Sequence, residues 1–151
     1  MEIRHDDPRA SHVAAMLAAH LADMRGSVPP GFSFALGAEA LAGSDVTFWT
    51  AWDDGALAGF AALRQLDPRH GEVKSMRAAP TGRGVGRALL DRIVATARAR
   101  RYARLSLETG VTAQYQAATA LYRRAGFVDA GPFADYRVSP HNRFMTLVLQ
   151  E

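Results

Sequence analysis

A glycine-rich loop between a strand and a helix is the feature that most restricts the fold of this 151-residue chain. The segment over residues 76–90 reads MRAAPTGRGVGRALL, with glycine at positions 82, 84 and 86. Successive glycines let backbone N–H groups turn towards one point without a side chain in the way. They stand at a helix N-terminus, which favours negative charge, and Arg83 and Arg87 add cationic side chains. The segment is therefore suited to bind a pyrophosphate.

Two common phosphate-binding loops do not match this segment. A Walker loop needs Lys and then Ser or Thr after its last glycine, where this chain has Arg87 and Ala88. A dinucleotide-binding loop follows the first strand, with an acidic residue about 20 residues later. Here the loop lies in the middle of the chain, after several predicted strands. A third interpretation stays open at this point: the glycines could serve an ordinary strand-to-helix turn.

Hydrophobic periodicity and turn residues predict the elements on both sides of the loop. Asp7 followed by Pro8 is a typical helix start, and Asp54-Gly55 between two apolar runs is a strong hairpin signal. Ala117, Leu121 and Ala125 form one helical stripe, with Gly126 at the cap position. The predicted strands cover residues 2–4, 46–52, 56–63, 72–79, 105–108, 127–128 and 143–149. The predicted helices cover residues 8–24, 85–97 and 113–125, with one further helical turn within residues 37–42. The order β-α-(α)-βββ-α-β-α-ββ predicts one α+β domain over residues 1–151.

Composition excludes several classes of chemistry. The chain has no cysteine, so disulfides, cysteine zinc sites and an acyl-cysteine intermediate are excluded. Its five histidines do not pair at metal-ligand spacing, and we expect no metal. The net charge of +3 is mild and suits an anionic cofactor, so nucleic-acid binding is not expected. The apolar runs are too short to span a membrane and no secretory signal is visible, which predicts a cytoplasmic protein.

Two motifs resemble the signatures of one enzyme superfamily. Residues 83–90, RGVGRALL, resemble the acetyl-CoA signature of the GNAT N-acetyltransferases, and residues 120–127, ALYRRAGF, resemble their second signature. The resemblance implies a mixed central sheet of about six to seven strands flanked by about four helices. It also implies that the strand before the glycine loop splays from the next strand. Acetyl-CoA would be the cosubstrate, without a metal, and homodimers are frequent in the superfamily.

The implied reaction is direct transfer of acetyl from acetyl-CoA to a primary amine of a small molecule, through a ternary complex. A protein or peptide acceptor and a non-catalytic acyl-CoA-binding module are the alternatives. The resemblance assigns Met76, Arg77 and Ala78 to the pantetheine arm, and Thr81, Gly82, Arg83, Gly84, Val85, Gly86 and Arg87 to the pyrophosphate. Thr81 departs from the usual Gln or Arg, and the loop is about two residues shorter than usual, which puts cofactor affinity in question.

The resemblance also suggests the groups that move protons. Tyr122 matches a tyrosine that protonates the leaving thiolate, and Glu72 lies where several members carry a catalytic base. Glu108, at the end of the neighbouring strand, is a second candidate for the base. The acceptor pocket is expected to involve Phe32, Phe34, Phe133, Tyr136 and Arg137. Arg137 would suit an acceptor carboxylate, whereas Asp135 would attract a cationic amine, and the sequence leaves these alternatives open.

Overall fold

The computed structural model describes residues 1–33, 35–80 and 82–150, so Phe34, Thr81 and Glu151 lie outside the described residues. Within these residues the strands form one sheet in the order β1-β2-β3-β4-β5-β7-β6. The strands are β1 (Glu2–His5), β2 (Val46–Asp53), β3 (Ala56–Asp67), β4 (His70–Ala78), β5 (Arg104–Gly110), β6 (Val128–Ala130) and β7 (Asn142–Val148). The helices are α1 (Ser11–Gly26), α2 (Ala38–Leu41), α3 (Val85–Ala99) and α4 (Gln116–Arg124), with a 3-10 turn over Ala113–Tyr115. The predicted element order and the mixed sheet are confirmed.

The hairpin between β2 and β3 has the predicted two-residue turn. Asp54 and Gly55 both have positive φ angles, 51° and 77°. That pair of conformations matches the right-handed twist of the two strands, and Asp-Gly adopts it readily. The turn is therefore defined by the local sequence alone.

The start of α1 differs from the prediction. The helix begins at Ser11 rather than at residue 8, and its N-cap, Ala10, has no side-chain hydrogen bond. The carboxylate of Asp7 instead accepts a hydrogen bond from the backbone N–H of Arg9 at 2.9 Å. The backbone N–H of Ala10 also bonds to the carbonyl of Asp7, at 3.0 Å. Asp7 thus stabilises a separate turn that precedes the helix, as Asp commonly does in turns.

The helices cover both faces of the sheet and form two hydrophobic clusters. On one face, α3 and α4 pack against Trp49, Leu63 and Val73 from the central strands. On the other face, α1 and α2 pack against Phe48 and Phe60. In the predicted apolar stripe of α4, Leu121 and Ala125 contact the first cluster as expected, whereas Ala117 is exposed. Ala118 and Tyr122 also contact that cluster.

The parallel pair β4–β5 opens after a short stretch. Pairing between the described residues of these strands joins His70 to Arg104, Gly71 to Leu105 and Glu72 to Ser106. Both strands continue beyond that point, and β4 carries an irregularity where Ser75 has a φ of +55°. The sheet therefore splays between β4 and β5, as the resemblance implied. No helix in the described part of the chain is both long and apolar enough to cross a membrane.

Gly59 allows α3 to lie close to β3. A Cβ at this position would stand 2.6 Å from the carbonyl oxygen of Arg77 and 3.0 Å from a methyl carbon of Val85. We expect Gly59→Ala to reduce the free energy of unfolding by roughly 1–3 kcal/mol, the usual cost of overpacking. Urea denaturation would measure it. Gly131→Ala is the control, because nothing lies within 4 Å of its Cβ position. Equal stability of the two variants would contradict the packing argument.

Candidate active site

The glycine loop presents backbone donors at the N-terminus of α3. Gly84 is the N-cap residue in a left-handed conformation, with φ +78°, and no side-chain cap is found among the described residues. Gly82 also has a positive φ, +71°. The first N–H groups of a helix have no partner within it, so those at the start of α3 are available to an anionic ligand. The loop thus fits the pyrophosphate of acetyl-CoA.

The other residues of the loop have distinct environments. Val85 is buried in the core, so only its backbone can face a ligand. Gly86 brings α3 close to α4, since a Cβ there would lie 3.2 Å from a methyl carbon of Leu121. Arg87 pairs with Asp91 at 3.0 Å. Arg83 pairs with Asp53 at 2.5 Å. Both arginines therefore already pair with a carboxylate, and their cofactor roles stay predictions.

A cleft of about 200 Å³ lies where β4 and β5 separate. Met76 and Arg77 line it, whereas Ala78 lies beyond it at the exposed end of β4. The hydroxyl of Ser75, also on the cleft wall, is buried without a hydrogen-bond partner among the described residues. Strand edges without a ladder partner leave N–H and C=O groups to be satisfied. The cleft therefore fits a polar, amide-bearing arm such as pantetheine.

Tyr122 lines this cleft from α4. Its side chain is 7% exposed, and its ring centroid lies 5.7 Å from that of Phe127. Burial raises the pKa of the Tyr122 hydroxyl to about 12. The phenol is thus protonated at neutral pH and is able to donate a proton into the cleft.

The register of the strands sets which face each side chain of β4 occupies. Residues directly opposite each other in an antiparallel pair share a face. Lys74 pairs with Ala62, which belongs to the cluster under α1 and α2, and Glu72 pairs with Arg64 two residues along. Glu72 and Lys74 therefore lie on the face of α1 and α2, opposite to α3 and α4.

A buried polar cluster forms around these two residues. The hydroxyl of Tyr136 donates to Glu72 Oε2 at 2.5 Å and accepts from Lys74 Nζ at 2.5 Å. Lys74 Nζ also lies 3.6 Å from Glu72 Oε2. Glu72 is the third residue of β4 rather than its first, and it is 1% exposed, so it is not in solvent. Burying a carboxylate requires a paired cation, and Lys74 supplies it.

Glu108 completes the cluster from β5 and lines the splayed cleft together with Tyr122. Burial raises the pKa of Glu108, against the opposing effects of Lys74 and of a hydrogen bond with Asn142. Burial lowers the pKa of Lys74, against the opposing charges of Glu72 and Glu108. Both pKa values are therefore shifted towards neutral pH, as is typical of residues that transfer protons.

A second cleft, of about 740 Å³, adjoins the first on the face of α1 and α2. The two clefts share Ser33, Ala35 and Lys74. Glu72 and Tyr136 line only the second cleft, whereas Tyr122 and Glu108 line only the first. Lys74 is thus the residue of β4 at which the two clefts meet.

The predicted acceptor residues are placed differently from one another. Phe32 lines the splayed cleft and packs edge-on against His141, with ring centroids 4.8 Å apart. Tyr136 lines the second cleft. Phe133 is buried against Tyr136 and lines neither cleft, and exposed Arg137 lines neither. Phe34 and Thr81 lie outside the described residues. The acceptor roles of all these residues stay predictions.

Several side chains of the site were not foreseen from the sequence. His20 from α1 and Tyr115 from the 3-10 turn line the splayed cleft, and Lys74 joins both clefts. The hydroxyl of Tyr115 hydrogen-bonds with that of Ser27 at 2.6 Å. One signal was available, because Lys74 is the single lysine of an arginine-rich chain. His70, predicted in a loop, is instead the buried first residue of β4 and bonds to Ser106 at 2.6 Å.

His20 gives the protein a pH-dependent stability. Burial, aided by Arg77 and opposed by Asp23, lowers the pKa of His20 from 6.5 to about 4. Between these values the unfolded chain binds a proton that the folded chain does not, so stability falls as pH falls. We expect the free energy of unfolding to fall by about 2–3 kcal/mol between pH 7 and pH 4.5. His20→Gln should not show this decrease. Urea denaturation at both pH values tests this. Identical losses in the two proteins would contradict it.

Comparison with known proteins agrees with this geometry. The model of the Acetyltransferase (GNAT) family matches residues 13–127. The chain is 46% identical to the uncharacterized N-acetyltransferase YedL of Escherichia coli over 151 residues, which cover 99% of this chain and 95% of that protein. It is 44% identical to the IAA acetyltransferase of Azospirillum brasilense over 111 residues, 71% of each chain. A Klebsiella pneumoniae structure assigned to the acyl-CoA N-acyltransferases superposes with a TM-score of 0.78, at 28% identity over 98% of this chain and 97% of that one.

These matches, with the splayed sheet and the glycine loop, define the class of the protein. The chain belongs to the GNAT acetyltransferase family. It is an acetyl-CoA-dependent acetyltransferase, and the fold that the resemblance implied is confirmed.

Proposed function

We propose that the chain is one N-acetyltransferase domain that transfers acetyl from acetyl-CoA directly to a primary amine of a small molecule, within a ternary complex. One observation carries the proposal. The splay between β4 and β5 opens a cleft that is lined by Tyr122 from α4 and by Lys74 and Glu108 from the strands. The splayed cleft reaches both faces of the sheet, since His20 of α1 also lines it, and the second cleft continues from it on the face of α1 and α2. Cosubstrate and acceptor can therefore approach from opposite faces and meet without a covalent enzyme intermediate.

The residues of the cleft divide the proton transfers between them. Bound acetyl-CoA supplies a thioester whose carbonyl carbon accepts the amine. A carboxylate takes the proton that the amine must lose to become nucleophilic, and the phenol of Tyr122 gives a proton to the departing sulfur. The chain has no cysteine, so no thiol of its own competes for the acetyl group. The transfer is then a single displacement.

The structure favours Glu108 over Glu72 as the proton acceptor, although sequence reasoning ranked them the other way. Glu108 lines the same cleft as Tyr122, and burial raises its pKa towards the range in which a base works well. The Oε2 atom of Glu72 already accepts a hydrogen bond from Tyr136 and faces Lys74. Glu72 then holds Lys74 and Tyr136 in place. Its predicted role as the base remains the alternative.

A small-molecule acceptor is favoured over a protein one. Phe32 and His141 pack against each other in the wall of the splayed cleft, where the amine must reach the thioester. A peptide would need an open groove there. The name of one relative, the IAA acetyltransferase, gives IAA as its acceptor. A homodimer and a cytoplasmic location stay predictions.

The test is thiol release from acetyl-CoA, followed with a colorimetric thiol reagent across amino acids, polyamines, arylamines and aminoglycosides. The absence of cysteine makes the assay clean, because the protein cannot react with the reagent. Release with one amine class would support the proposal and name the acceptor class. If no amine of the panel caused thiol release, but acetyl-CoA still raised the melting temperature, a protein acceptor or a binding module would be favoured. If neither release nor a thermal shift were seen, the shortened loop would not hold its cosubstrate.

A further inference from the structure

Lys74 is an amine that the fold itself places beside the acetyl-transfer cleft. It lies two residues beyond the last β4–β5 pair, Glu72 with Ser106, where the splay begins. It lines the splayed cleft together with Tyr122 and Glu108, and it lines the second cleft as well. It is also the single lysine of the chain. A primary amine therefore stands on the route that an acceptor amine would take to the thioester.

Its surroundings resemble those that a bound acceptor would need. Its Nζ atom donates to the hydroxyl of Tyr136 and faces Glu72, and its side chain is 9% exposed. Glu108 contributes a second carboxylate to the same cluster. Either carboxylate could take a proton from the ammonium, and burial lowers the pKa of Lys74, which makes that loss easier.

We propose that this protein acetylates its own Lys74 when acetyl-CoA is bound and no acceptor fills the cleft. The inference rests on the proposed use of the splayed cleft for the thioester. It adds a modification site, the ε-amine of Lys74, and a reaction that needs no external amine.

The step balances with groups already in the site. The ammonium of Lys74 loses one proton to Glu72 or Glu108, and its lone pair attacks the thioester carbonyl carbon. A C–N bond forms and the C–S bond breaks, so that the sulfur leaves as a thiolate. The sulfur gains a proton from Tyr122, and the second proton that the nitrogen loses as the amide forms passes to the phenolate of Tyr122, which restores the phenol. The amide is too stable to pass its acetyl group on, so the product is a dead end rather than an intermediate.

Acetylation of Lys74 would inactivate the enzyme. Acetylation removes the positive charge of Lys74 and leaves the buried Glu72 carboxylate without its cation. The acetyl group would also occupy the junction of the two clefts. Enzyme that is incubated with acetyl-CoA in the absence of an acceptor should therefore lose its transferase activity progressively.

The experiment follows acetylation of the full-length chain by mass spectrometry. The protein is incubated with acetyl-CoA alone, and its intact mass is measured over time beside that of Lys74→Arg. Trypsin then locates the acetyl group, because acetyl-Lys74 blocks cleavage before Ser75 and leaves residues 70–77 as one peptide. We expect one acetyl group on Lys74, no acetyl group anywhere within residues 70–77 of Lys74→Arg, where trypsin still cleaves before Ser75, and at least about tenfold slower reaction in Tyr122→Phe.

Three results would overturn the inference. One is an unmodified Lys74 in protein whose melting temperature acetyl-CoA raises. Another is equal acetylation of Lys74 in protein unfolded by urea, which would mean uncatalysed chemistry. The third is an unchanged rate in Tyr122→Phe. The amine panel separates this failure from that of the proposed function, since thiol release with an amine can persist while Lys74 stays unmodified. Absence of both thiol release and a thermal shift would overturn the two together.

Discussion

Tyr122→Phe is expected to lower kcat about 10²–10⁴-fold, the range that general acid catalysis contributes, while the Kd for acetyl-CoA stays nearly unchanged. The phenol is buried in the wall of the splayed cleft, and burial raises its pKa to about 12. It therefore holds its proton until the sulfur leaves. Phenylalanine keeps the ring packing on Phe127 and removes only the hydroxyl group. Steady-state thiol release measures kcat, and calorimetry measures the binding of acetyl-CoA.

Tyr102→Phe is the matched control for this experiment. Tyr102 is equally buried and donates its hydroxyl proton to Gln65 at 2.8 Å, but it lines neither cleft. Loss of this hydroxyl and its hydrogen bond should lower the free energy of unfolding by about 1 kcal/mol without changing kcat. If Tyr122→Phe turned over at the wild-type rate, the hydroxyl would have no catalytic part. A weaker Kd at unchanged kcat would make Tyr122 a binding residue.

Glu108→Gln is expected to reduce kcat/KM about 10²–10⁴-fold near neutral pH and to change the pH profile. The active form of a base is deprotonated, so the wild-type rate should rise as pH passes the pKa of Glu108. Burial raises that pKa above the ordinary value of a glutamate. Glutamine keeps the shape of the side chain but has no titration, so this rise should disappear. The measurement is kcat/KM with the best amine of the panel over about pH 5–9.

The variant Glu72→Gln distinguishes the role of Glu72 from that of Glu108. If Glu72 only positions Lys74 and Tyr136, its variant keeps the rise with pH at a lower kcat/KM. That variant should also be less stable, by about 3–5 kcal/mol, since a buried ammonium loses its partner. Loss of the rise in Glu72→Gln, with Glu108→Gln retaining full activity, would show instead that Glu72 is the base. Melting temperatures of both variants distinguish lost catalysis from lost folding.

The features that the sequence predicted well are those with local causes. Asp54-Gly55 forms its turn because both residues accept a positive φ. Gly126 ends the turn after α4 with φ +104°, and the N–H of Phe127 reaches the carbonyl of Tyr122 at 3.0 Å. Two motifs on either side of β5 were enough to identify the family. Where local signals competed, as at Asp7, the predicted helix start was wrong by three residues.

The sequence by itself thus determined the element order, the glycine loop and the identity of Tyr122 as a candidate acid. Only the tertiary structure decided which carboxylate shares a cleft with that acid and what surrounds Lys74. Tyr136 reaches Glu72 across 64 positions of sequence, and Glu108 comes from a strand that meets β4 in parallel. Burial, pairing and pKa at the site depend on such distant contacts. Periodicity and motif spacing describe only near neighbours along the chain, so they cannot specify these properties.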